Sequence, residues 1–527
     1  MTIDSAWVEV MKGEAPGAFT KKPPFVPRVC FLDGMPLLMA SGAMTKWDDL
    51  VKWNFAYKVQ NFFRMGAHTV ILAFDDYHYV PLAKSITQAN RAKTKVSIDF
   101  NERQTLETTM PKDYNSYLAN RIYKRKVIDL VVETITEHVR IELPNKKLII
   151  DYLGCPIVFE YSTRTRKWSH TYMTSMPPNG ECDVKFTRWG RLYGDMICYS
   201  VDGDFLGIAL MEHERQINEL GVNGDPNKMA IYRLEYKMKE DKPAAAKKGD
   251  DNGKGRLKRD ARGNLVLSNG ERIPNEGGST ASAAPSRKRT FEYVDITSLY
   301  HVMRTAMHQC APANVTGKVY EGHFMRILCF LIGLSGTDFS RKIPHLGAKK
   351  IWDMLPCKNI WPAIMRMYNP QTGQVCPGEA CDMFIARLYL DKFCKHARGD
   401  TLEGVLASLQ QSKLGDKIKN ELPTVFRVDA TVRNINWLLL YWECRQPVQV
   451  IKGVKEENVK VEVDGDTEMI GEPGDCETKE EEEVEWDYDV RYPVPVQDEY
   501  GFKFSAKKRR GGGMAVQWLD YDESGDT

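Results

Sequence analysis

The sequence predicts an α/β protein built on a mostly parallel sheet flanked by helices, and three observations carry that prediction. Short, wholly apolar runs end in aspartate: Val29 to Leu32 before Asp33, and Thr69 to Phe74 before Asp75. Runs without polar alternation read as strands covered on both faces, as in parallel sheets. From residue 29 to about 235, strand-like and helix-like patterns alternate, the order expected of βα units. The acids sit at the ends of the apolar runs, where open parallel sheets bind their ligands.

In chain order, residues 1–28 read as an N-terminal extension and 29–235 as the first part of the core. Residues 236–290 (for example KPAAAKKGDDNGKGRLKRDARG) are too polar to pack a core and are expected to be a disordered insertion. Apolar periodicity returns at Phe291, and with Val294, Ile296, Leu299, Tyr300, Val302 and Met303 it predicts a helix opening a second core segment, 291–352. Residues 353–446 read as a further helical region, in which Ile435 to Trp442 (INWLLLYW) is expected to be a buried helix. The remainder, 447–527, reads as an acidic, largely disordered tail.

The 527 residues are 43% hydrophobic, enough for a sizeable core. No apolar stretch is long enough to span a bilayer, and the opening MTIDSAWVEVMKGE lacks the order of a signal peptide. With 12 cysteines in no regular framework, an intracellular, reducing location is expected. The net charge of +2 conceals a division. Glu456 to Asp489 carries about sixteen acidic residues against two lysines, which leaves roughly +16 on the rest. That balance suits a polyanionic partner.

The chemistry-bearing residues are seven carboxylates: Asp33, Asp75, Glu181, Asp183, Asp202, Asp204 and Asp338. Asp202 and Asp204 follow the apolar run Met196 to Val201, and Glu181 and Asp183 precede it in an E-x-D pair. Acids gathered at strand ends repel one another in a low dielectric and stay ionised together only with cations among them. Oxygen-only ligation selects hard ions, Mg²⁺ or Mn²⁺, and two such ions can activate water and stabilise the leaving oxygen of a phosphodiester. A two-metal nuclease is the expectation.

The E-x-D pair, the D-x-D pair about 21 residues later and the two earlier strand-end aspartates resemble the flap endonuclease (XPG-type) family of structure-specific 5′ nucleases. The resemblance covers roughly residues 29–352 and implies a PIN-like core with a helical arch over about 76–140. In AFDDYHYVPLAKSITQANR, Lys84 and Arg91 keep the spacing of the family's two cations that face the scissile phosphate. Two cations about two turns apart on one helical face can polarise that phosphate. The segment from Leu334 to Lys350 (LSGTDFSRKIPHLGAKK) resembles the last catalytic aspartate, Asp338, followed by the helix-two-turns-helix motif. The motif implies duplex binding by Gly347, Lys349 and Lys350, with Gly347 permitting a tight turn into a helix whose amides meet a phosphate, and a potassium ion held there. By this resemblance Asp33, Asp75, Glu181 and Asp183 hold one ion, and Asp202, Asp204 and Asp338 complete the second.

The chain departs from the family in three places: it lacks the opening Met-Gly motif, it has Asp183 where the family has Glu, and Met39 stands where the family usually has a base-stacking aromatic. Gln497 to Phe504 has the glutamine and aromatics of a sliding-clamp motif at the wrong spacing. The implied partner is DNA with a 5′ flap, a junction or a free 5′ end, bound by a monomer, with RNA left open. A 5′ exoribonuclease and an inactive nucleic-acid or protein-binding scaffold are the competing readings. In the arch, Lys93, Lys95, Arg103, Lys112, Arg121, Lys124, Arg125 and Lys126 interleave with Tyr114, Tyr117 and Tyr123, which suits either a single-strand grip or an ordinary amphipathic helix. Cys376, Cys381, Cys394 and His396 have the number but not the usual spacing of zinc ligands, and buried or surface thiols are the expectation. Arg287 to Arg289 and Lys507 to Arg510 have the charge of nuclear-import signals, so a nucleus or a viral replication site is the expected location.

Overall fold

The computed structural model describes residues 5–39, 44–75, 105–139, 146–152, 156–173, 180–221, 225–236, 289–311, 320, 322–337 and 340–443, apart from 112, 163, 166, 341, 358 and 359. It also describes short strands at 258–259, 265–266, 448–452, 487–492, 504–508 and 514–518. By contacts the chain divides into two units, Met1–Arg233 with Tyr293–Thr527, and Leu234–Glu292.

The larger unit is α/β. Its sheet takes the order β1-β11-β8-β7-β2-β3-β4-β5-β6. The strands are β1 Phe19–Thr20, β2 Val29–Asp33, β3 Thr69–Ala73, β4 Lys147–Asp151, β5 Ile157–Ser162, β6 Lys167–Tyr172, β7 Met196–Tyr199, β8 Met229–Tyr236 and β11 Arg289–Asp295. Five neighbours, β8-β7-β2-β3-β4, run parallel, while β5, β6 and the β1-β11 pair are antiparallel additions. Every residue of β2 and β3 is buried, because helices cover both faces. In the smaller unit, β9 Lys258–Arg259 pairs antiparallel with β10 Leu265–Val266.

Alternation in the pleat sends neighbouring side chains to opposite faces. Val29, Phe31, Ile71, Ala73, Ile149, Met196 and Cys198 join one large core. That core also takes residues from α1 Ser5–Glu14, α7 Cys182–Tyr193, α8 Asp204–Leu220, α9 Ile296–Cys310 and α10 Phe324–Gly333. On the opposite face, Phe74 meets Phe55 with ring centroids 5.8 Å apart. Phe55 lies in a helical run made of α3 Trp47–Asp49, a π-helical turn Leu50–Ala56 and α4 Tyr57–Arg64. The short helix α2 Gly34–Met39 leaves β2 directly. Two further helices, α5 Tyr114–Ala119 and α6 Arg121–His138, pack on the π-helical run.

The remaining helices are α11 Ala348–Met354, α12 Ile360–Met367, α13 Glu379–Lys392, α14 Leu402–Gln411, α15 Asp416–Glu421 and α16 Val425–Glu443. The stretch from Ile435 to Trp442 is buried throughout α16, as its unbroken apolarity requires. No described helix is long and apolar enough to cross a membrane. Between α12 and α13, β12 Tyr368–Asn369 pairs with β13 Gln374–Val375; farther on, β14 Val448–Lys452 pairs with β15 Asp487–Tyr492, and β16 Phe504–Lys508 pairs with β17 Met514–Trp518.

Two local expectations change. Residues 5–14, read only as an extension, form α1, whose Trp7 is fully buried and donates its indole N–H to Ser335 Oγ at 2.9 Å. The helix expected from Phe291 begins only at Ile296, since Arg289–Asp295 is β11 and pairs through Tyr293 and Val294 with Thr20 and Phe19. Asp295 then caps α9, its carboxylate accepting from the amides of Thr297 and Ser298.

Candidate metal site at the carboxylate edge

The parallel register places acids on one face at one end of the sheet. Asp33 is the last residue of β2 and lies opposite Ala73 of β3, which lies opposite Asp151, the last residue of β4. Asp75 stands two residues beyond Ala73 and so projects toward the same face. That face is covered by α7, whose Cys182 amide donates to Asp75 Oδ1 at 3.0 Å.

Asp33 is almost completely buried. Its Oδ2 accepts from Ser200 Oγ at 2.8 Å and its Oδ1 from the Met35 amide at 3.1 Å. These bonds do not offset the rest of its surroundings. Burial, then the Asp75 charge, then that of Asp202, push its carboxyl up to about 8. Ser200 also joins Asp33 to the D-x-D pair, since it accepts from the Asp202 amide at 3.1 Å, and Asp202 Oδ1 accepts from the Asp204 amide at 3.0 Å. The D-x-D acids therefore stand in the turn between β7 and α8 rather than on the strand itself, with Asp204 the first residue of α8. An acid in the first turn suits the positive end of a helix.

Glu181 occupies the residue before α7 and is fully buried; Asp183 lies in the first turn of the same helix. The Cys182 thiol between them is raised by burial and then by Asp75 and Asp33, so it is a neutral, unreactive group.

Sequence reasoning passes over three residues that shape this edge. Ser200 is one. Asp151 is another, though it ends an apolar strand in the same manner as Asp33. The third, Lys185 of α7, is fully buried and neutralises Asp151 at 3.0 Å. Its ammonium also donates to Phe74 O at 2.7 Å and Asp151 O at 3.1 Å, while Trp189 Nε1 donates to Asp151 Oδ2 at 2.6 Å. Lys185 thereby fastens the chain just before Asp75.

Compared with known proteins, the chain matches no family model and no curated protein. The site therefore has to be judged on its own chemistry. Among the described residues, no three His, Cys, Asp or Glu side chains already stand together as a cation cage. The donor set nonetheless fits a hard dication: it is all oxygen, and the buried Asp33 faces the half-buried Asp75 and Asp202, a like-charged arrangement that a positive ion would relieve. Lys84, Arg91 and Asp338 lie outside the described residues.

At the second expected site, Gly347 does not adopt the tight-turn conformation expected of it. Gly347 precedes α11 with φ −98° and ψ 161°, an extended conformation open to any residue. The left-handed position in this turn belongs to His345, at φ 62°. Lys349 is exposed, whereas Lys350 is ion-paired with Asp391 of α13. The arch tyrosines are also core rather than surface: Tyr114, Tyr117 and Tyr123 are buried, Tyr117 stacks on Tyr123 at 4.8 Å, and Tyr114 donates to Leu38 O. Cys381 is buried, while Cys376 and Cys394 are exposed.

Proposed function

We propose that this protein is a metal-dependent, structure-specific 5′ nuclease of the flap endonuclease kind, with a PIN-like core, that hydrolyses DNA phosphodiesters at flaps or junctions in replication or repair. The observation that carries this reading is the buried Asp33 carboxyl beside Asp75 and Asp202 at the ends of parallel strands. Burying like charges together is costly, and a fold keeps such an arrangement where a cation belongs.

Asp33, Asp75, Glu181, Asp183, Asp202 and Asp204, with Asp338, would hold two Mg²⁺ ions, for which Mn²⁺ can substitute. The bound ions supply an activated water and stabilise the leaving oxygen. The protein's own part is positioning. Ser200 orients Asp33 and the Asp202 turn, the Cys182 amide orients Asp75, and Lys185 holds the strand end on which Asp75 stands. Lys84 and Arg91 polarise the scissile phosphate, and Lys349 and Lys350, beside Gly347 and a potassium ion, hold the duplex away from the cut. The acting species is a monomer, in a nucleus or a viral replication site.

The test uses a 5′-labelled DNA flap duplex with Mg²⁺ or with EDTA, beside an RNA 5′ end, and compares the parent with Asp33→Asn. The parent cuts near the junction only with Mg²⁺, and the variant binds the flap equally but cuts at least about 100-fold more slowly. Full cutting by Asp33→Asn refutes the site, and flap binding without cutting by the parent refutes the enzyme in favour of a scaffold.

A further inference from the structure

The helical run after β2 carries an aromatic surface that the fold does not need for packing. Its inward residues Leu50, Val51, Phe55 and Ala56 are buried, whereas Trp53 is 50% exposed and Tyr57 is 45% exposed. Trp7, Trp47, Trp189, Trp361, Trp437 and Trp442 are essentially fully buried, so exposure of Trp53 is not this chain's ordinary use of tryptophan. The two outward rings lie 6.1 Å apart, with Lys52 Nζ 5.1 Å from the Trp53 ring centre. Met39 at the end of α2 is exposed as well. The backbone beneath Trp53 is a π-helical turn, a form that is rare and concentrated at functional places.

This surface is tied to the carboxylate edge at two points. Asn54 Nδ2 donates to Leu37 O at 2.9 Å in α2, the helix that follows Asp33 directly. Lys58, next to Tyr57, places its ammonium 4.7 Å over the ring of Tyr199, and Tyr199 precedes the serine that holds Asp33. Two acids share the run, Asp48 and Asp49, and Asp48 is bound by His138 at 3.0 Å.

We propose that Trp53 and Tyr57, with Lys52, form a stacking platform for the bases of a single nucleic-acid strand running to the carboxylate edge. The inference rests on the nuclease reading and adds a strand-binding surface to it. Every base offers a π face, so aromatic stacking holds a strand without reading its sequence, while a lysine meets the phosphates.

The test measures binding of labelled oligothymidine and of an abasic oligomer of equal length to the full chain in EDTA, by fluorescence anisotropy. The same preparations are assayed for flap cutting with Mg²⁺. The parent binds oligothymidine about tenfold more tightly than the abasic strand. Trp53→Ala and Tyr57→Ala each remove most of that preference, Tyr57→Phe keeps it, and Lys52→Ala weakens both strands alike and lowers the salt dependence. Because these side chains are exposed, unchanged thermal unfolding shows that the variants are folded. A parent that cuts flaps yet binds both strands equally, or alanine variants that keep the preference, overturns the platform and leaves the nuclease standing. A parent that neither binds nor cuts nucleic acid overturns both.

Discussion

Two places in this molecule, Glu212 in the helical layer and Asp33 at the carboxylate edge, bury a carboxylate, and their surroundings treat it in opposite ways. In the helical layer, Glu212 of α8 accepts from Arg191 at 2.9 Å and from Arg215 Nε at 2.9 Å. Burial pushes its carboxyl up, but the bonds from Arg215 and Arg191 outweigh burial and hold it below the ordinary value. Glu443 is likewise ion-paired with Arg326, and at the carboxylate edge itself Asp151 is paired in the same manner with Lys185. At the carboxylate edge, Asp33 is equally buried but faces Asp75 and Asp202, and its carboxyl is raised to about 8. The difference is one of partners: Glu212 meets two guanidinium groups, and Asp33 meets two carboxylates. Burial is common to both, and the partner decides the outcome.

Breaking one of the paired sites has the largest expected effect. Lys185→Met leaves Asp151 a buried carboxylate without its ammonium, and costs about 3–5 kcal/mol by chemical denaturation. A loss below about 1 kcal/mol would erase the distinction between paired and unpaired buried carboxylates. The matching change at the edge has the reverse sign. Asp33→Asn keeps the shape and removes a carboxyl that ionises on unfolding, so in EDTA at neutral pH it raises stability by about 1 kcal/mol or more. Added Mg²⁺ stabilises the parent more than the variant. Equal stabilisation of the two by Mg²⁺ would remove Asp33 from the metal set.

A subtler comparison lies in two adjacent residues of α8. Glu214, buried and accepting from the Met325 and Arg326 amides, has its carboxyl raised from 4.5 to about 8, chiefly by burial. His213, buried against Tyr300 and flanked by His301, Asp295 and Glu212, is lowered from 6.5 to about 4, again chiefly by burial. The raised acid stabilises at low pH and loses that contribution as pH rises from 4.5 to 8. The lowered histidine stabilises above 6.5 and loses its contribution as pH falls toward 4. Between 4.5 and 6.5 the two slopes oppose each other. From 6.5 to 8 the histidine no longer opposes, and the raised carboxyls of Glu214 and Asp33 each lower stability with rising pH by up to about 1.4 kcal/mol per unit. Glu214→Gln flattens that upper limb in pH-dependent denaturation, and an unchanged limb would clear Glu214 of the effect.

The smallest effect is expected where charge pairs meet water. Lys350 and Asp391 are partly exposed, so Lys350→Ala costs no more than about 1 kcal/mol of stability, while Lys349→Ala costs none measurable and weakens duplex binding. A large stability loss from Lys350→Ala would place its role in packing rather than in holding DNA.

What could be read in advance followed from local periodicity. The runs before Asp33 and Asp75 are strands because only a two-sided apolar environment suits such residues, and INWLLLYW is core for the same reason. The segment from Phe291 misled because its apolar positions fit helix and strand alike over a few residues, and pairing with β1 decided the matter. Tyr114, Tyr117 and Tyr123 looked equally suited to a strand grip, but Trp47 lies within 6 Å of the Tyr114 and Tyr117 rings and buries that cluster.

The sequence by itself determined the alternating α/β order and the positions of the acids at the ends of apolar runs. Tertiary structure alone decided which acids act together. Asp33, Asp75 and Asp151 are alike in sequence context, yet among the described residues only Asp151 finds a lysine, because α7 brings Lys185 over the end of β4. A carboxylate's charge state is set by whatever lies within a few ångströms, and those neighbours come from residues tens to more than a hundred positions away, as Lys185 does for Asp151, Ser200 for Asp33 and Cys182 for Asp75.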